Sequence, residues 1–233
     1  MRINDLAMNT LEQFTDLLFP RSCSGCENIL LANEKLICTH CRLALPKTNW
    51  HHYKENPVAE IFKGRCDVAL ATAFMHFRKG SLVQQFLHNL KYRGQQELGV
   101  KLGHLMGIDL ARSEAWKSVE AIIPIPLHKK KLAIRGYNQS ELLAIGIGKA
   151  GNWELNITSL SRQKFTESQT TKDRLARQLN LKSAFYCEPF AYRHVLLVDD
   201  VITTGATIES AVESIRKENP QSQVSVVSLA MAE

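Results

Sequence analysis

The segment that most restricts the architecture is Val195-Leu196-Leu197-Val198, which runs without a break into Asp199-Asp200-Val201-Ile202-Thr203-Thr204-Gly205-Ala206-Thr207. Four consecutive apolar residues suit a strand covered on both faces, because a half-exposed strand would alternate apolar with polar side chains. Ile208 to Lys217 follows at helical spacing, so the whole reads as strand, polar loop and helix. The same order recurs upstream. Ala121 to Pro126 is a short apolar run closed by prolines, then comes a basic loop with Lys129, Lys130, Lys131 and Arg135, then a helix capped by Asn138. Asp67 to Phe77, Leu155 to Leu160 and Val224 to Ala230 are further expected strands. Helices are expected around Leu82 to Leu90 and from Glu97 to Arg112. Uniformly apolar strands alternating with helices predict an α/β fold: an open, mainly parallel sheet with helices on both faces.

A different pattern occupies the front of the chain. Cys23-x2-Cys26 and Cys38-x2-Cys41 are separated by eleven residues. Two such pairs can wrap one tetrahedral Zn²⁺, and four thiolates leave no open coordination position, so the zinc is expected to be structural. Gly25 is expected to ease the first turn. The competing reading is a disulfide pair. Before the cysteines, the apolar residues Leu11, Phe14, Leu17 and Leu18 are interrupted by Glu12 and Asp16, which fits an amphipathic helix and not a secretory signal. The expected compartment is therefore reducing, where structural disulfides do not persist. No apolar run reaches the roughly 18 to 20 residues of a membrane span. Cys66 and Cys187 read as small buried hydrophobes, His40 as a bystander, and the polar stretch 46–57, with His51 and His52, as a surface link. The expected division is 1–60 for the helix, zinc module and linker, and 61–233 for the main domain.

In an open parallel sheet, ligands sit beyond the carboxyl ends of the strands, which is where Asp199 and Asp200 fall. Adjacent carboxylates repel unless they receive donors or a cation. Ribose hydroxyls supply the first, and a Mg²⁺ held mainly by the ligand's own oxygens supplies the second. Thr203, Thr204, Gly205, Ala206 and Thr207 then offer hydroxyls and backbone N–H groups just before a helix, an anion cradle. Acids for sugar and amides for phosphate match a ribose 5-phosphate, such as that of phosphoribosyl pyrophosphate. The bland alternative, a loop with threonine caps, needs only one such residue. Two other phosphate signatures fail: Gly148-Lys149 continues with Ala150 and lacks the leading glycine at Leu143, and Gly146-x-Gly148-x-x-Gly151 ends a helix instead of following a strand. A net charge of +6 points to a polyanionic partner without choosing one.

Several strings together give the chain a family likeness. With the two Cys-x-x-Cys pairs, Leu90-Lys91-Tyr92-Arg93-Gly94, Pro124-Ile125-Pro126-Leu127-His128, Arg135-Gly136-Tyr137-Asn138-Gln139-Ser140 and Arg162-x3-Thr166-x2-Gln169-x7-Arg177-x2-Asn180, it resembles the ComF family of type I phosphoribosyltransferase-like proteins. Lys172 stands where members of that family have an apolar residue. The resemblance implies that Asp199 and Asp200 hold the ribose hydroxyls, that Val201 and Thr203 to Thr207 surround the 5-phosphate, and that the loop after Pro126 takes the pyrophosphate. It also implies a mobile flap from Arg162 to Asn180, with Arg162, Lys164 and Arg177 neutralising the pyrophosphate; Arg162, Asp199 and Asp200 would be the catalytic set. It further implies a cytoplasmic accessory factor for natural transformation, which handles incoming single-stranded DNA with a helicase or translocase. Two functions follow. One is a binding module whose loop senses phosphoribosyl pyrophosphate or docks a nucleic-acid 5′-phosphate while the basic stretches and the zinc module hold single-stranded DNA or a partner, with Tyr92, Tyr137 and Phe165 as candidate stacking residues. The other is an enzyme that transfers the phosphoribosyl group to a nitrogen acceptor with release of pyrophosphate.

Overall fold

A computed structural model describes residues 20–162 and 184–232. The expected N-terminal amphipathic helix and the flap residues 163–180, with Lys164, Phe165 and Arg177, lie outside the described residues. The described chain runs α1 (Thr39–Leu43), α2 (Pro57–Phe62), β1 (Ala71–Phe77), α3 (Leu82–Tyr92), α4 (Gln96–Ala111), β2 (Ala121–Pro124), α5 (Lys129–Arg135), α6 (Gln139–Gly151), β3 (Glu154–Leu155), β4 (Leu160–Arg162), β5 (Phe185–Cys187), β6 (His194–Ile202), α7 (Ala206–Glu218) and β7 (Gln223–Ala232). Short 3-10 turns occupy Trp50–His52 and Glu114–Trp116. Five strands form one sheet in the order β1-β7-β6-β2-β3, every neighbouring pair parallel. The α/β reading with a mainly parallel sheet holds. Among the described residues, no helix is long and apolar enough to cross a membrane.

Period-two alternation along β6 divides the core. Leu196 and Val198 face a cluster with Leu102, Met106, Leu143 and Ile147 of α4 and α6. Val195 and Leu197 face the opposite cluster, with Phe62 of α2 and Ile208, Val212 and Ile215 of α7. Both faces are covered, which is why the strand is apolar throughout.

Three local expectations need correction. Leu155 to Leu160 is not one strand: β3 ends at Leu155, and the Asn156 side chain accepts the N–H groups of Thr158 and Ser159 at 3.2 and 3.0 Å, turning the chain into the separate antiparallel ribbon β4-β5. The basic stretch after β2 is not a loop. It is the helix α5, capped by the His128 side chain on the N–H of Lys130 and ended by Gly136 at φ +78°. Residues 46–57 are docked and do not hang as a surface link. Thr48 N–H donates to Phe74 O at 3.1 Å, His76 N–H donates to Pro46 O at 3.0 Å, and the Trp116 indole donates to His51 O at 3.0 Å. This segment lies along the outer edge of β1.

The glycines that imitate a dinucleotide fingerprint serve packing. Gly99, Gly103 and Gly107 lie four residues apart on α4, and Gly146 faces them from α6. A Cβ on Gly103 would come within 2.1 Å of Leu143 O, and one on Gly146 within 2.1 Å of Val100 O. The two backbones touch, and neither can be displaced cheaply. Gly103→Ala is expected to destabilise the fold by about 3 kcal/mol or more, the upper range of overpacking. Differential scanning calorimetry should register this as a fall in Tm of roughly 6 to 12 °C for a chain of this size; an unchanged Tm would mean that the helices separate freely.

Candidate functional site: the crevice between two strands and the cysteine cluster

β2 and β6 are neighbours whose connections diverge. The chain leaving β2 returns through α6 to β3, on one side, and the chain leaving β6 returns through α7 to β7, on the other. Such a switch point opens a crevice at the carboxyl ends of the two strands. The Ile125 N–H donates to Val198 O at 2.9 Å, and the Asn138 amide donates to Ile125 O at 3.0 Å, so the loop carrying Pro126 is fastened to the rim.

Asp199 and Asp200 stand at this rim, though not in a loop as expected. β6 continues to Ile202 because β7 is long enough to keep pairing with it: Asp199 lies opposite Ser228 and Ile202 opposite Met231. Held in the strand, the two carboxylates find different partners. Asp199 Oδ1 accepts from the Ser140 hydroxyl at 3.1 Å and from the Asp200 N–H at 2.8 Å. Asp200 Oδ2 lies 2.7 Å from Lys91 Nζ at the end of α3, with both side chains largely buried. Burial, and then the charge of Asp200, push the Asp199 carboxyl up to about 7, against the opposing effect of its two hydrogen bonds and of Lys91. Arg162, on β4, lies over the Phe185 ring at 5.2 Å. Burial lowers its pKa while the charge of Asp199 opposes that shift, so the two groups share one electrostatic field.

Beyond the strand, Thr203 and Thr204 are exposed, and Gly205 is the cap residue of α7 at φ +75°. A side chain is excluded there twice, by the left-handed backbone and by Ile61 Cγ2 and Phe62 Cε1, which a Cβ would meet at 2.7 and 2.9 Å. No side chain caps this helix, so the threonine-cap reading of the loop fails and the first-turn amides remain available to an anion. Arg65 braces the turn from outside, donating to Thr204 O at 2.8 Å and pairing with Glu209.

The crevice thus gathers Asp199, Asp200, Arg162, Pro126 and the segment Val201 to Thr207, while Lys164 lies outside the described residues. Sequence reasoning gave no role to Lys91, Ser140 or Arg65. Lys91 and Ser140 fall in the family-like strings, but no local pattern pairs them with acids so distant in the chain.

The four cysteines converge along the opposite face of α3. Their sulfurs all lie within 4.8 Å of one another, the only group of three or more potential metal-ligating side chains among the described residues. Backbone N–H groups point at sulfur: Cys38 N and Gly25 N to Cys23 Sγ at 3.3 and 3.4 Å, and Cys41 N to Cys38 Sγ at 3.4 Å. Burial raises the Cys23 thiol, but the backbone donors of Cys38, Cys26 and Gly25 outweigh it and bring it down to about 7. Burial and the neighbouring sulfurs push Cys41 far up. Thiols that cannot all ionise together unless a cation joins them suit a four-thiolate metal site. Gly25 serves this knuckle differently from expectation. Its φ is not left-handed, the positive φ being at Glu27, and a Cβ on it would collide with Leu82 Cδ1 at 2.3 Å and approach Phe86 Cε1 at 3.1 Å. The glycine permits docking onto α3.

A family model described as a phosphoribosyl transferase domain matches residues 188–232, the stretch from β6 through the turn and α7 to β7. Competence protein F of Haemophilus influenzae is 37% identical over 147 residues, covering 58% of this chain and 61% of that protein. The DNA utilization protein YhgH of Escherichia coli O157:H7 is 31% identical over 126 residues, 52% of this chain and 56% of that protein. Competence protein ComFC of Bacillus subtilis is 29% identical over 117 residues, 46% and 43% of the two chains. The matches therefore span about half the length of these relatives.

Proposed function

We propose that this chain is a member of the ComF family, that it binds phosphoribosyl pyrophosphate with Mg²⁺ in the crevice between β2 and β6, and that it acts on incoming single-stranded DNA in natural transformation. The observation that carries this reading is the convergence, at one switch point, of a carboxylate pair and an uncapped helix N-terminus behind a glycine turn. Asp199 and Asp200 receive the ribose hydroxyls, the amides around Thr203 to Thr207 receive the 5-phosphate, and Pro126, Arg162 and Lys164 border the pyrophosphate. The two acids alone make no cation cage, which suits a Mg²⁺ coordinated chiefly by the oxygens of the ligand. The cysteine cluster takes Zn²⁺ as a structural ion. DNA enters through the relatives' names and through the exposed lysines of α5, Lys129 to Lys131, beside the crevice. A helicase or translocase of the uptake machinery is the expected partner, and the cytoplasm the expected location.

The test is isothermal titration of the full chain with phosphoribosyl pyrophosphate and Mg²⁺, then with single-stranded DNA over a salt series. Saturable binding of the sugar phosphate is expected, together with DNA affinity that falls linearly with salt on logarithmic axes. Absence of the first would end the phosphoribosyl reading, and absence of the second the DNA reading.

One observation favours turnover as a second reading. A carboxyl held near pH 7 beside the ribose site is poised as a general base. In that reaction a nitrogen nucleophile bonds to C1, the C1–O bond to pyrophosphate breaks, and the nitrogen's proton passes to Asp199. Pyrophosphate release, screened over bases and amines, distinguishes this from binding alone.

A further inference from the structure

α3 touches both ends of the molecule's chemistry. Leu82, Gln85, Phe86, Asn89 and Arg93 lie along one stripe of the helix, and all five face the cysteine knuckle. Leu82 and Phe86 press on Gly25. The buried Asn89 amide donates to Ser24 O at 2.8 Å, the Gln85 amide donates to Glu27 Oε1 at 3.2 Å, and Arg93 lies 3.6 Å from the same Glu27 oxygen. Ser24 and Gly25 are the two residues between Cys23 and Cys26, so these contacts fall on the turn that any bound metal would close. Two residues after Asn89, about 200° around the helix, Lys91 points the other way and holds Asp200 at 2.7 Å. The last turn is fixed there by Tyr137, whose hydroxyl donates to Leu90 O at 2.7 Å.

We infer that Lys91 is a positioning residue through which the cysteine knuckle governs the carboxylate pair: a closed knuckle seats α3, and α3 sets the ammonium that orients Asp200. The helix is short and hydrogen-bonded throughout, so a shift at Ser24 and Gly25 reaches Lys91 as a rigid displacement, not as a diffuse softening. Lys91 also supplies Asp200 with a counter-ion before any ligand arrives. The carboxylate thus meets the ribose in a fixed orientation, and neither residue needs to touch the metal. This inference rests on the proposed binding of phosphoribosyl pyrophosphate at Asp199 and Asp200.

The experiment is a double cycle read as affinity for phosphoribosyl pyrophosphate with Mg²⁺, using the full chain. One axis is Lys91→Met, with Lys91→Arg as the conservative control. The other is removal and restoration of the knuckle's metal, with circular dichroism reporting that secondary structure persists. Lys91→Met is expected to weaken binding about 10-fold or more, Lys91→Arg to recover most of that loss, and metal removal to cost about 10-fold in the parent but less than about 2-fold in Lys91→Met. Where metal removal unfolds the chain, Asn89→Ala in the metal-loaded protein replaces that axis, with the same non-additivity expected. Independent losses that multiply would overturn the inference while leaving the binding reading intact. A parent protein that binds no phosphoribosyl pyrophosphate would overturn both.

Discussion

Replacing Asp199 and Asp200 together by asparagine is expected to lower affinity for phosphoribosyl pyrophosphate by at least about 100-fold. Each carboxylate is assigned to ribose hydroxyls, and a hydrogen bond to a charged group contributes about 1.5 to 3 kcal/mol, so two such losses exceed the roughly 2.7 kcal/mol that a 100-fold change represents. The lost ligand contacts dominate, because asparagine is nearly isosteric and its carbonyl can still accept from the Ser140 hydroxyl and the backbone N–H at residue 200. Folding supplies an internal control with a distinct sign. The Asp199 carboxyl is raised to about 7 in the folded protein, against about 3.9 in an unfolded chain. The folded state therefore holds its proton more tightly, and the parent loses stability as pH rises from about 4 to about 7. Asp199→Asn alone should match the parent near pH 4 and exceed it in Tm above pH 7. A double variant that binds as well as the parent would refute the assignment of this crevice.

Withdrawing the metal from the four-cysteine knuckle is expected to lower Tm by roughly 10 °C or more, since metal binding at such sites is coupled directly to folding. The effect should reach beyond the knuckle. Cys23, Cys38, Cys41, Leu30 and Ile37 belong to the same apolar cluster as Phe86 and Leu87 of α3 and Met106 of α4, so opening the knuckle uncovers part of the main core. Metal analysis of the purified chain should give about one zinc per molecule, as four-thiolate coordination requires. Cys38→Ser should reproduce the loss, because it removes one of the four thiolates that close the site. Protons compete with metal for thiolates, so release should also occur on acidification. A metal-free protein as stable as the loaded one would contradict this account.

The parts of the structure legible in the sequence are those set by short-range pattern. Val195 to Val198 announced a doubly covered parallel strand, Asn138 announced its cap on α6, and the cysteine spacing announced a cluster. What escaped depends on neighbours. β6 runs on through Asp199 to Ile202 because β7 pairs with it, which no property of the Asp-Asp dipeptide indicates. The turn at Asn156 divides the expected strand through a single side-chain oxygen. Lys129 to Arg135 looked like a loop because of its charge, although His128 and Gly136 were in place to bound a helix. The Lys91–Asp200 pair joins the first connecting helix to a late strand, a match that only the folded sheet creates.

The contact between α4 and α6 bears on how such a protein can change over time. Where two helices meet through side chains, each substitution in the core shifts their spacing slightly, and anything carried at their ends drifts with it. Here main chain meets main chain at Gly103 and Gly146, so the spacing is independent of which apolar side chains fill the rest of the layer. Ser140, at the start of α6, therefore keeps its reach to Asp199 while the surrounding core is free to vary. A lineage could rewrite most of this interior and leave the crevice in register.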